Sequence, residues 1–130
     1  MRKEKERDKL WSRIRSGYQT NDCLITLGTG SIADEEAMGL VSCHAYAVLE
    51  IFEVQTHRVL MVKNPWGRFR WTGKFSTEDT TNWTPELKRL FHFDDLKSND
   101  NGIFWIDFDS VCEFFDSLDM NWNPELLTYN

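Results

Sequence analysis

No run of this sequence reaches the roughly 20 apolar residues that a membrane helix needs, and the charged amino terminus has no apolar signal segment. The expectation is a soluble, intracellular protein, placed in the cytoplasm, with no membrane insertion. Positive charge is also in short supply: 15 Lys and Arg stand against 21 Asp and Glu, a formal net charge of -6. The one concentrated basic stretch, Arg2 to Arg7, is interrupted by Glu4 and Glu6. That balance argues against a general nucleic-acid or membrane-surface role. Cysteine is scarce and odd in number. Cys23, Cys43 and Cys112 have neither CxxC nor Cys/His ligand spacing, so no disulfide framework or zinc site is supported, and buried free thiols are expected. The glycines of CLITLGTG lack the spacing and the lysine of a phosphate loop. Repeats, low-complexity tracts and internal linkers are absent.

What remains suits one domain over residues 1–130. At 130 residues with 41% hydrophobic and 14% aromatic content, the chain can bury one core. Leu10, Trp11 and Ile14 fall at helical spacing between Glu4 and Gly17, with Gly17 as the expected stop. CLITLGTG reads as a short strand, and the acidic stretch Ala33 to Ala37 as a loop with a helical turn. Ala45 to Phe52 and Val59 to Lys63 are apolar on both faces and read as central strands joined by the polar segment Glu53 to Arg58. Gly73 suits a tight bend, Ser76 to Lys88 a surface loop leading into a short helix, and Asn99 to Gly102 a turn before the strand-like IFWI. Asp107 can cap a helix that carries Phe108, Val111, Cys112 and Phe115 on one face, and Leu118 to Trp122 reads as a last strand. The fold class expected is α+β, mainly antiparallel sheet with flanking helices.

Two polar residues stand at the outer ends of the proposed hairpin. His44 heads AYAVLEIF and Asn64 ends VLMVKN, so chains that run out and back would bring them side by side. An asparagine oxygen can fix the tautomer of an imidazole, leaving the other nitrogen to take a proton from a thiol. That is the division of labour in a Cys-His-Asn site, in which thiolate and imidazolium stabilise one another. Taken alone, the pair is weak evidence, because a histidine at a strand end is more often a satisfied structural residue. His57 in the turn and His92 between Phe91 and Phe93 have no Asn or Asp at an equivalent strand end, which leaves them structural.

The segments around this pair carry a resemblance. GLVSCHAYAV is similar to the region around the catalytic histidine of the calpain family of papain-like cysteine proteases, and KNPWG to that around its catalytic asparagine. GIFWIDFDSVCEFF resembles the family's Gly-x-Phe-Trp stretch and following helix, and the likeness spans about Leu10 to Trp122. WTPEL and WNPEL further resemble the atypical calpain seven branch.

The resemblance implies a papain-like half-domain, the second subdomain of the protease core. His44 would be the general base and acid, Asn64 would orient it, and Trp66 would shield their hydrogen bond from water. The catalytic cysteine would lie in an upstream subdomain absent from this sequence. Cys43, next to His44, is expected to face away from it by strand alternation. The family's calcium site in this subdomain uses acidic residues of two loops. The matching positions here are Arg70, Thr77, Asn101 and Ile103, and Glu78, Asp79 and Asp100 nearby read as solvated loop acids, so no calcium or other cofactor is expected.

The implied function is half of an intracellular calpain-like cysteine endopeptidase, inactive without the upstream cysteine. Its partners would be protein or peptide substrates and the upstream subdomain of the same parent chain. Two alternatives stay open at this point. One is a proteolytically inactive calpain-like interaction module; the other is an acidic structural domain in which His44 and Asn64 are merely buried and satisfied and need not meet.

Overall fold

A computed structural model describes residues 4–20, 23–64, 70–93 and 102–122. Five strands, β1 (Cys23–Thr29), β2 (Ala45–Val54), β3 (His57–Lys63), β4 (Ile103–Asp107) and β5 (Phe115–Trp122), form one sheet in the order β4-β3-β2-β1-β5. Every neighbouring pair is antiparallel. The α+β class is as expected, although β5 starts at Phe115 rather than Leu118, because the ladder with β1 continues to Thr29↔Phe115.

Strand alternation gives the sheet two apolar faces. Ile25, Leu27, Tyr46, Leu60, Val62, Phe104 and Ile106 line one, where they pack with Trp11 and Ile14 of α1 (Glu4–Thr20) and Phe108 and Val111 of α4 (Phe108–Phe114). Asp107 caps α4 as expected, its Oδ2 accepting from Ser110 N at 3.0 Å. α1 runs through Gly17 instead of stopping there. A Cβ at Gly17 would lie 2.3 Å from Met120 Cε and 3.2 Å from Cys23 Sγ, so this glycine serves close packing on β1 and β5 rather than termination. No described helix is long and apolar enough to cross a membrane.

The other face carries a second core. Val59, Met61, Phe52 and Trp105 of the sheet pack against Phe75, Trp83, Leu87, Phe91 and Phe93. Residues 76–88 are therefore not simply a surface loop: Trp83 is 6% exposed and its indole N–H donates to the Ser76 carbonyl at 2.8 Å. The expected short helix follows as α3 (Pro85–Leu90), with Thr84 Oγ1 accepting from Leu87 N at 3.1 Å. Gly73 does sit in a bend, where its carbonyl accepts from Ser76 N at 3.0 Å. The acidic stretch holds the single turn α2 (Glu35–Met38), closed by Gly39 at φ 76°. Asn99 to Asn101 of the expected turn lie outside the described residues, and Gly102 follows at φ 80°.

Candidate active site

The hairpin register decides which side chains meet. From Val54↔His57 the β2–β3 ladder runs to Glu50↔Met61; beyond it Val48 pairs with Val62 and Ala47 with Lys63, so Leu49 is an extra residue, a β-bulge. Continued by one step, this register sets Tyr46 opposite Asn64, with His44 two residues further along on the same face. Without the bulge Ala47 would face Asn64, and His44 would point to the other side of the sheet. The expected neighbourhood of His44 and Asn64 thus depends on a bulge that the simple midpoint of the hairpin does not contain.

His44 Nε2 lies 3.1 Å from Asn64 Oδ1. An amide oxygen only accepts, so Nε2 carries the proton and Nδ1 is the basic nitrogen of the ring. Asn64 is 1% exposed, and its backbone N–H donates to the Gly102 carbonyl at 3.0 Å, which ties the end of β3 to the residue that precedes β4. The His44 ring stands edge-on to Tyr46, with centroids 5.1 Å apart at 87°. Tyr46 is fully buried and its hydroxyl accepts from Val41 N at 2.9 Å. Burial pushes its phenol up, the Val41 hydrogen bond opposes this, and Glu35 adds to it, so Tyr46 remains a neutral phenol. Tyr46→Phe leaves the Val41 N–H without this acceptor and is expected to cost about 1–3 kcal/mol in urea unfolding; an unchanged midpoint would mean that the bond contributes nothing.

The remaining histidines lie elsewhere. His57 opens β3 at the turn end of the hairpin, edge-on to Phe75 at 5.3 Å, and His92 is exposed at φ 54°. Cys43 is exposed in a turn at φ 50°, ahead of β2, so the strand alternation expected to direct it away from His44 does not operate there. Cys23 and Cys112 are half-buried, so none of the three free thiols is fully buried as the composition suggested. Partial burial raises the Cys23 thiol above its ordinary value. Trp66 lies outside the described residues, as does Asn101.

Of the positions matched to a calcium site, Arg70, Thr77 and Ile103 are described. None supplies a carboxylate. Gly39 is needed beside Arg70, since a Cβ there would lie 1.8 Å from the Arg70 carbonyl oxygen. Asp79 is not the solvated acid expected from its loop. Its oxygens accept from Phe75 N at 2.7 Å, Thr81 N at 2.9 Å, Asn82 N at 3.2 Å and Asn82 Nδ2 at 2.7 Å. Burial alone would raise Asp79, but these four bonds outweigh it and hold the carboxyl below the usual 3.8.

A depressed folded pKa means that Asp79 adds stability above the unfolded value and loses it as pH falls through the folded one. Asp79→Asn should therefore lower stability at neutral pH, and the gap from wild type should close in urea titrations taken from about pH 6 to about pH 2. A gap that stays constant with pH would exclude the charge as its source.

The calpain family cysteine protease model matches residues 1–121. The chain belongs to the calpain family of cysteine proteases. It is 42% identical over 124 residues to calpain-7 of Homo sapiens, covering 92% of this chain and 15% of that protein. It is 39% identical over 127 residues to the calpain-like protease palB/cpr-8 of Neurospora crassa, covering 95% of this chain and 13% of that protein. A calpain-type cysteine protease DEK1 of Zea mays is 31% identical over 114 residues, 85% of this chain and 5% of that protein. The chain thus spans about 15% or less of the length of these curated relatives. These likenesses agree with the family resemblance read from GLVSCHAYAV and KNPWG, and with its atypical branch.

Proposed function

We propose that this chain is the histidine- and asparagine-bearing subdomain of an intracellular calpain-like cysteine endopeptidase. The observation that carries the reading is the 3.1 Å contact of His44 Nε2 with Asn64 Oδ1, in a chain of this family. His44 Nδ1 takes the proton of a cysteine thiol supplied by an upstream subdomain of the same parent chain. The thiolate attacks the substrate's peptide carbonyl, the imidazolium returns its proton to the leaving amine, and water hydrolyses the thioester with His44 again as base. Asn64 holds the ring in the tautomer this needs, and the family resemblance of the NPWG segment implies that Trp66 shields that bond from water. Neither Cys43 nor its two counterparts serves as nucleophile, so the chain by itself does not cleave peptides. Protein substrates bind across both subdomains.

Joining the chain to the upstream cysteine-bearing half should give peptide hydrolysis that thiol alkylation abolishes and His57→Ala leaves intact. Activity of the joined halves that survives alkylation would sink the proposal, as would none at all in a parent with an intact cysteine.

This subdomain, we further propose, holds no tight calcium ion. A hard cation needs carboxylate or carbonyl oxygens, whereas Arg70, Thr77, Asn101 and Ile103 provide no carboxylate. The nearby carboxylate of Asp79 is already engaged by four donors. Titration calorimetry should record no saturable heat at micromolar free Ca²⁺; a saturable isotherm would refute this.

A further inference from the structure

Resting on the catalytic reading of His44, we infer that Thr29 is a positioning residue that fixes where the imidazole sits. β1 and β2 pair through Gly28↔Ala45, which makes Thr29 and His44 the next opposed residues. Thr29 N donates to the His44 carbonyl at 3.0 Å, while the bond that returns, from His44 N, goes to the side-chain oxygen Thr29 Oγ1, also at 3.0 Å. The same hydroxyl lies 2.5 Å from the Val41 carbonyl, against 3.3 Å from that of His44, so its proton belongs to Val41. One hydroxyl therefore pins both ends of the turn from Val41 to His44. Between them Cys43 takes the left-handed φ of 50° and donates its N–H to the Gly30 carbonyl at 2.8 Å.

Thr29 can serve as a fixed point because it is itself fixed. It is 8% exposed, a β-branched side chain with few rotamers, and lies on a strand paired on its other side with Phe115 of β5. His44 is thereby held at two ends, its backbone by Thr29 and its Nε2 by Asn64, just past the end of β3. The backbone anchor acts together with the Asn64 bond and the edge contact with Tyr46 in setting the direction of Nδ1. The Thr29 hydroxyl bonds main chain of this turn, so its effect on the reaction passes through His44.

The test uses the assembled protease with Thr29→Val, which keeps the shape, and Thr29→Ser, which keeps the hydroxyl. Thr29→Val is expected to lower kcat by about 10- to 100-fold with KM held within about twofold, the size of a misplaced catalytic group. The acid limb of its kcat/KM pH profile should be displaced, and the Nε2 proton signal of His44 in NMR broadened. Thr29→Ser should restore all three. If Thr29→Val does not fold, Thr29→Ala is read by the same criteria. Wild-type kcat, profile and signal in Thr29→Val overturn the proposal, and so does an equal loss in Thr29→Ser. A broadened signal with unchanged kcat also overturns it. An active His44→Ala enzyme would instead remove the catalytic reading, and the NMR response of Thr29→Val would still report on the anchor.

Discussion

His44→Ala in the assembled protease is expected to lower kcat/KM by about 10⁴-fold or more, the loss met when a nucleophile is deprived of its base. The thiol then has no group to take its proton, and the leaving amine no acid. Asn64→Ala should cost less, about 10²-fold, because the base remains and only its orientation and tautomer are released. The two effects should not add. Once His44 is gone, Asn64 has no imidazole to orient, and the double variant should match His44→Ala within about twofold. Steady-state kinetics on the four proteins of this cycle decide the matter, with active-site titration by a thiol reagent to normalise concentration. Additive losses would mean that Asn64 acts on something other than His44, and retention of activity in His44→Ala would remove the histidine from the mechanism. His57→Ala is the internal control, since His57 opens β3 at the far end of the hairpin.

Trp83→Ala should be the most damaging substitution outside the site, with a loss of about 3–5 kcal/mol. Its ring lies edge-on to Phe75, Phe91, Phe93 and Trp105, with centroids from 4.9 to 5.4 Å away. Its N–H is bonded to the Ser76 carbonyl. Truncation removes the centre of the second core and one of the two donors to that carbonyl, which keeps the Asp79 N–H at 3.1 Å, and the four surrounding rings are too rigid to close the space. Against the 5–15 kcal/mol typical of a domain, such a loss brings the fold close to its limit, with a melting temperature lower by roughly 10 °C or more. Trp83→Phe keeps most of the volume and should lose markedly less. A change below about 1 kcal/mol for Trp83→Ala would mean that the residue lies at the surface after all.

Trp83 marks the boundary of what local pattern could reveal. Its neighbours Thr80, Thr81, Asn82, Thr84 and Glu86 are polar, and a single aromatic among them carries no periodicity to announce a buried face. Its burial follows from Trp105 and Phe93, remote in sequence but adjacent in space. Asp79 departs from its expectation for a related reason. Composition shows an acidic loop, whereas the four donors that converge on it depend on the backbone path from Phe75 to Asn82. Gly17 looked like a helix stop because glycine favours one, but the approach of Met120 and Cys23 that requires it involves other strands.

By contrast, periodicity and turn chemistry sufficed for α1 through its first three turns, the β2–β3 hairpin, the Asp107 cap and the class of the fold. Those features arise within a few residues of chain, where hydrophobic alternation and capping act. The sequence by itself determined that a histidine and an asparagine stand at the ends of two adjoining strands, in segments resembling a cysteine protease family. Only the tertiary structure decided that they share a face and come within 3.1 Å, because the Leu49 bulge shifts the register by one residue and a strand's side chains change face at every step. It also decided that Thr29, distant in sequence and unremarkable in composition, holds the backbone of His44. A hydrogen bond between strands records a register, which depends on pairing across the sheet and not on the order of residues within either strand.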